Sequence, residues 1–428
     1  VSALGWKYLT ASDKDQILRG IADGKSYGGP YHVEFHPADR CNIECFFCST
    51  AAIRGTDELP IPRFEELLGE LKAAGTRSIR LAGGGEPLFH RQIKPFLRAV
   101  VASGIPIENV TTNAVLLDEE IADLLLAARC DQITVSLNTG DAATYATMMQ
   151  TPARNFDRVL KNVKGLVGRR RHAGSKTPII NLQFLVWQEN FRQIPSMYAL
   201  ARELEVDTIQ FNGLAFLEPR QMMTVEETDE MMALYEEVVR RDEYRRISVI
   251  NSYEQDISAR VTAMNDRISA ERQRKPALMR LAATLLRRDF TLGEKIEHHR
   301  RMSQTRSLTK AIEGREEYCI IGWHSMVVRT NGNVAPCCIL QGKELGNIYK
   351  QNVTDVWHGA GFQKLRSELS QIINRGDDWE PDSERDETVV PMCGQKANET
   401  CPIRSFYYRT DVPFLKEFGK AVAEIRKA

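Results

Sequence analysis

The stretch His32-Val33-Glu34-Phe35-His36-Pro37-Ala38-Asp39-Arg40-Cys41-Asn42-Ile43-Glu44-Cys45-Phe46-Phe47-Cys48 joins a short strand-forming run to a loop bearing three cysteines. Their spacing is C-x3-C-x2-C. Three thiolates hold three corners of a cubane iron–sulfur cluster and leave the fourth iron without a protein ligand. An open iron is a place where a small molecule chelates and receives an electron. The competing reading is a zinc knuckle or free thiols. Zinc asks for a fourth ligand at comparable spacing, and His36 lies on the wrong side of Pro37.

A second stretch, Leu81-Ala82-Gly83-Gly84-Gly85-Glu86-Pro87, closes the next strand-like run about forty residues on. Residues without a Cβ let a backbone come close to a ligand. Together with aromatic Phe47 before the last cysteine, the two stretches resemble the radical S-adenosylmethionine (radical SAM) superfamily. The resemblance implies a [4Fe–4S] cluster on Cys41, Cys45 and Cys48, with S-adenosylmethionine (SAM) chelating the open iron. It implies that Gly84, Gly85 and Glu86 receive the methionine amino group through backbone and carboxylate acceptors.

The 428 residues suffice for a large core with an appended domain. Lys plus Arg and Asp plus Glu are both 57, so no global field selects nucleic acid or membrane. No apolar run approaches the roughly 18 residues of a membrane-spanning helix and no secretory leader is visible, so the expected compartment is the cytoplasm. Nine cysteines in such a setting point to metal or redox chemistry rather than disulfides.

Apolar runs at 32–37, 78–83, 108–113, 132–138, 179–187 and 207–213 alternate with helical periodicity near 62–74, 90–103, 118–129, 154–168 and 190–204. Pro62 suits a first helical position, and Gly75 and Gly104 suit C-caps. Six β-α units in series predict a parallel sheet with right-handed crossovers. The expected fold class is α/β, and the resemblance implies a partial (β/α)6 barrel. The expected organisation is an N-terminal helical extension (1–27), the barrel core (28–240), a helical basic insert (241–316) and a small α+β domain (317–428).

Chemistry in such sheets gathers at strand C-termini. Thr111-Thr112-Asn113 closes the third run and resembles the family's T-N-G segment, with Ala114 in place of the glycine. Ser136 and Asn138 close the fourth, where the family binds the SAM ribose or carboxylate, and period-two spacing places both on one face. Turn capping by small polar residues is the alternative for each. Gln183 and Asn212, on the fifth and sixth runs, are further candidates for cofactor contact. Glu34 and His36 share one face of the first strand, facing substrate or cluster in one reading and hydrogen-bonded in the core in the other.

A second cysteine set, Cys319, Cys337, Cys393 and Cys401, lies near the C-terminus. Alternating apolar residues around Asn331-Gly332 predict a hairpin over 327–337. Cys319, the Gly332-x4-Cys337 element, Gly346-Asn347-Ile348 and a helix near 353–371 containing Trp357 resemble the SPASM/twitch extensions of radical SAM enzymes. The resemblance implies one auxiliary [4Fe–4S] cluster on those four thiols, and a structural zinc is the alternative. Cys338 is a fifth thiol that replaces a ligand, packs as a small hydrophobe, or donates hydrogen to a substrate radical. Cys130 reads as core.

Residues 259–309 are rich in arginine. They read as a lid or docking face for an anionic substrate, a membrane surface or an acidic partner, or as solvated helix faces. Arg169-Arg170-Arg171-His172 reads as a helix C-terminus. The implied mechanism is reductive cleavage of SAM to methionine and a 5′-deoxyadenosyl radical, which abstracts hydrogen from an unactivated C–H bond. The electron would come from a flavodoxin- or ferredoxin-type reductant. The auxiliary cluster favours a dehydrogenase or a rearrangement, whereas an epimerase would need a donor such as Cys338. The expected substrate is a sugar, cyclitol, nucleoside or lipid-related small molecule. Peptide-modifying relatives often carry an N-terminal recognition domain, and only about thirty residues precede the first strand here. A peptide- or protein-modifying maturase and a non-catalytic iron–sulfur electron carrier are the alternatives.

Overall fold

The computed structural model describes residues 6–48, 50–51, 54–213, 223–242, 247–251, 260, 263–264, 267–268, 320–337 and 344–375. Helix α1 (Ala11–Asp23) opens on Thr10, whose side chain and that of Asp13 cap each other's backbone amides. Six strands follow in chain order: β1 (His32–Phe35), β2 (Ser78–Leu81), β3 (Ile107–Thr112), β4 (Gln132–Ser136), β5 (Ile179–Val186) and β6 (Thr208–Gly213). Each pairs in parallel with the next. The connecting helices are α2 (Ile61–Ala74), α3 (Ile93–Ser103), α4 (Glu119–Ala127), α5 (Ala142–Met148), α6 (Arg154–His172) and α7 (Ile194–Glu203), with α8 (Val225–Arg241) after β6. Gly75 and Gly104 end α2 and α3 in the left-handed conformation, as the sequence predicts.

Two further strands extend the six of the barrel on either side. Strand β7 (Ile247–Asn251) lies where a helical insert was expected, and it pairs in parallel with β6. Its Ile247, Val249 and Ile250 carry ordinary strand preference, which the arginine-rich residues after it obscure. Strand β8 (Ser325–Val328) pairs in parallel with β1, in register from His32↔Ser325 to Phe35↔Val328. The expected hairpin forms from β8 and β9 (Asn333–Ala335), and β10 (Gly346–Asn347) extends it. The C-terminal hairpin is therefore continuous with the barrel sheet, in the order β10-β9-β8-β1-β2-β3-β4-β5-β6-β7. Within this sheet β7 and β10 are edges, so the barrel is open.

Register sorts the sheet into two faces. Val33, Ile79 and Ile107 align on one, as do Phe35, Leu81, Val110, Ile133 and Ile180. This apolar face lies under the helices, with Phe35 edge-on to Phe64 of α2 and Phe211 edge-on to Tyr235 of α8. Glu34, Arg80, Asn109 and Gln132 align on the opposite, inner face. Further rows there are Thr111, Thr134, Asn181 and Thr208, then Ser136, Gln183 and Gln210.

The expected C-terminal helix is two, Val353–His358 and Ala360–Arg375, broken at Gly359. They seal the N-terminal segment. Trp357 Nε1 donates to the Gly28 carbonyl (2.8 Å), Gln363 to that of Gly24 (2.9 Å) and Ser370 to that of Ile21 (2.6 Å). Buried Arg366 lies over the Trp357 ring and donates to the carbonyls of Gly322 and Trp357, both at 2.7 Å.

Candidate functional site

The chain after β1 and the chain after β2 zip together beyond the sheet. Ala82 N donates to Phe35 O (3.0 Å), Gly85 N to Ala38 O (3.0 Å) and Glu86 N to Arg40 O (2.9 Å). A Cβ on Gly83 would sit 1.8 Å from His36 Nε2, and one on Gly85 would sit 2.0 Å from Arg40 O. Gly83 and Gly84 also have φ of +65° and +52°. The absence of a Cβ at these glycines thus lets the segment from His36 to Arg40, which leads into the cysteine loop, pack against them.

That loop is docked on α5, a helix the sequence reading missed. Glu44 N and Phe46 N donate to Met149 O and Met148 O, both at 3.2 Å, and Cys45 Sγ lies 3.7 Å from Met149 Sδ. Phe47 packs edge-on to Phe46, which lies against Trp187. The thiols of Cys41, Cys45 and Cys48 are half-buried and close enough to influence one another's ionisation. Burial pushes Cys45 up to about 12, reinforced by Cys41 and Cys48. Burial also raises Cys41. At Cys48 burial is outweighed by Thr50 and Arg54, and the thiol is held below its ordinary value. Among the described residues no three His, Cys, Asp or Glu side chains are gathered tightly enough for a single metal ion. Three convergent thiols, one beside a cation, are nevertheless a donor set suited to an iron–sulfur cluster.

Glu86 is buried and already employed. Its carboxylate accepts from Thr112 Oγ1 (2.6 Å), Asn113 N (2.7 Å) and Leu88 N (3.0 Å). Burial raises its pKa against those three donors. Thr112 therefore orients Glu86, and Asn113 adds a second link by donating from Nδ2 to Asn42 Oδ1 at 2.8 Å, within the cysteine loop. The carboxylate ties the end of β2 to the end of β3.

Ser136 and Gln183 are register partners on the inner face, both partly exposed. Asn138 does not share the face inferred from period-two spacing. It lies beyond the strand end at φ +63°, buried, with Oδ1 accepting from Leu185 N at 3.1 Å. Asn212 accepts from Gln210 at 3.1 Å. His36 Nε2 meets Glu34 Oε1 at 3.1 Å, both buried. Burial pushes Glu34 up, but His36 and Arg80 outweigh it and hold the carboxyl below its ordinary value.

Cys337 is buried just past β9, while Cys319, Cys338, Cys393 and Cys401 lie outside the described residues. Cys130 is buried core, its thiol on the Gln132 carbonyl. Arg169, Arg170 and Arg171 close α6 and pair with Asp123, Asp207 and Glu205. In the basic segment the described arginines Arg260 and Arg267 pair with Asp229 and Glu236; most of the remainder lies outside the description. No described helix is long and apolar enough to cross a membrane. Residues that sequence reasoning missed are Asn42, Thr50, Arg54 and Met149, whose polar or soft atoms meet the loop only through the fold.

Residues 35–181 match the family model of the radical SAM superfamily, and residues 319–393 match that of the SPASM iron–sulfur cluster-binding domain. The GTP 3′,8-cyclase of Chlorobaculum tepidum is 31% identical over 193 residues, 45% of this chain and 56% of that protein. A probable GTP 3′,8-cyclase of Saccharolobus solfataricus is 28% identical, over 50% of this chain and 68% of that one. The matches thus span 56% and 68% of those two relatives. Among solved structures, Streptococcus suis SuiB bound to S-adenosylmethionine shares the fold, with a TM-score of 0.54 at 17% identity. The alignment covers 83% of this chain and 71% of that one. With the three thiols, the glycine segment and the open sheet in their places, the chain belongs to the radical SAM superfamily with a C-terminal SPASM-type domain, and its cofactors are a [4Fe–4S] cluster, SAM and an auxiliary iron–sulfur cluster.

Proposed function

We propose that this enzyme acts on a polar small molecule held against the inner face of the open barrel. The observation that carries this reading is the make-up of that face. Asn109 and Gln132 donate to Thr134 (3.1 and 3.2 Å), Thr208 donates to Asn181 (2.8 Å), and Asn181 donates to Gln210 (3.2 Å). Those groups satisfy one another, while Ser136, Gln183 and Asn212, partly exposed nearer the strand C-termini, present amide and hydroxyl groups to a ligand rich in donors and acceptors and offer an apolar side chain little. In this reading Cys41, Cys45 and Cys48 hold the cluster, and Gly84, Gly85 and Glu86 form the methionine platform, with Thr112 and Asn113 behind Glu86. Ser136, Gln183 and Asn212 line the SAM and substrate side, and Asn138 positions the end of β4. When bound, the cluster and SAM supply radical hydrogen abstraction from a C–H bond.

Cys319, Cys337, Cys393 and Cys401 would hold the auxiliary cluster, with Cys338 the candidate hydrogen donor. The cyclases among the relatives support a rearrangement or ring closure over simple dehydrogenation. A flavodoxin- or ferredoxin-type protein would supply the electron, in the cytoplasm.

The test traces the abstracted hydrogen. Reconstituted enzyme is incubated with SAM, reductant and size-fractionated extract from deuterium-grown cells, and 5′-deoxyadenosine is weighed by mass spectrometry. Deuterium gained only from the low-mass fraction is the expected result. Gain only from the macromolecular fraction makes this a peptide- or protein-modifying enzyme, and no 5′-deoxyadenosine at all makes it an electron carrier.

A further inference from the structure

Arg54 lies on the return limb of the cysteine loop. Its Nη2 donates to the Cys48 sulfur at 2.7 Å, and its Nη1 donates to the Ile43 carbonyl at 3.4 Å. The guanidinium therefore spans the loop from its first half to its last cysteine. Among the described residues Thr50 is the other side chain at that sulfur, with Oγ1 at 3.2 Å. Its single hydroxyl proton, however, points to the Gly84 carbonyl at 2.7 Å. Once Cys48 is a thiolate, Thr50 has no proton left for it, and among the described residues Arg54 is the side chain that donates, with a full positive charge.

Adding an electron to an iron–sulfur cluster increases negative charge on its thiolate ligands. A cation hydrogen-bonded to one of them stabilises the reduced form more than the oxidised form. We infer that Arg54 raises the reduction potential of the SAM-binding cluster through its charge-assisted bond to Cys48. The inference rests on Cys48 being a ligand of that cluster. The step is the uptake of one electron from a flavodoxin- or ferredoxin-type reductant, with no bond formed or broken. Arg54 acts here through Cys48 as a positioning and tuning residue.

The experiment is an anaerobic redox titration followed by electron paramagnetic resonance, without SAM, on full-length protein of measured iron and sulfide content. Cys48→Ala first identifies the signal, because the SAM-binding cluster's signal should be lost in that variant while the auxiliary one persists. For Arg54→Gln the midpoint of that signal should fall. The expected size is about a tenfold smaller reduced-to-oxidised ratio at fixed potential, equal to 59 mV for a one-electron couple. Arg54→Lys keeps the charge and loses the fork, so its midpoint should lie between. Thr50→Val should leave the midpoint unchanged.

An unchanged midpoint in Arg54→Gln overturns the inference, including when SAM affinity falls, which would make Arg54 a SAM contact instead. If Arg54→Gln takes up no cluster, an unchanged midpoint in Arg54→Lys overturns it equally. A signal that survives Cys48→Ala intact removes the ligand assignment beneath it, a separate failure.

Discussion

Glu108 shows how one side chain sets a pH dependence. It is buried in β3, with one carboxylate oxygen lacking a hydrogen-bond partner among the described residues. Burial pushes its pKa from 4.5 up to about 7, against the pull of Arg80 and with reinforcement from Asp131 and Glu34. Between those values the unfolded chain has released this proton and the folded chain keeps it, so stability falls as pH rises from about 4.5 to 7. The full effect is about 3 kcal/mol at most. Glu108→Gln should flatten the melting temperature over that window and leave it higher at pH 8, as read by calorimetry. Gly83 makes a steric argument instead. Gly83→Ala forces a Cβ into the His36 ring at an unfavourable φ, and a loss of roughly 2 kcal/mol or more is expected in denaturant unfolding. The cysteines and glycines were legible because spacing alone marks them. Arg54, Asn42 and Met149 were not, because a lone arginine, asparagine or methionine carries no pattern until the loop brings it to a sulfur.

At the scale of elements, the ends of β2 and β3 are joined by one carboxylate. Thr112→Val keeps the shape and removes a donor from buried Glu86, so a cost of about 1–3 kcal/mol is expected. SAM binding should weaken with it, measurable by isothermal titration on anaerobic protein, because Asn113 and the loop at Asn42 lose their common anchor. Legibility at this scale followed the strength of periodicity. The six strands and the five connecting helices expected between them stood where alternation and glycine caps placed them. Helix α5 is short and has a mixed surface, and the cue for β7 was swamped by arginines nearby. The placement of Asn138 was not legible for a related reason: period-two spacing holds only while the chain remains extended, and the strand ends at Ser136.

The molecule as a whole is bound together by β8. Because β8 pairs with β1 on the side opposite β2, a chain cut before residue 320 leaves the strand that feeds the cysteine loop as a bare edge. That truncation should elute as aggregate on size exclusion, whereas a separable C-terminal domain would leave a monomeric barrel behind. Thr330 strengthens the link by donating to Asp39 at 2.6 Å, just ahead of the first cysteine. The sequence marked the hairpin but not its attachment, since no local pattern says which strand a hairpin will join. The same pairing sets a timetable for biosynthesis. His32 meets Ser325 only after roughly 290 further residues have been made. At 5–20 residues per second the ribosome needs roughly 15 to 60 s for that interval. Through all of it the nascent chain presents an unclaimed strand beside thiols awaiting iron, so cluster loading and chaperone cover must both outlast translation of the middle of the chain.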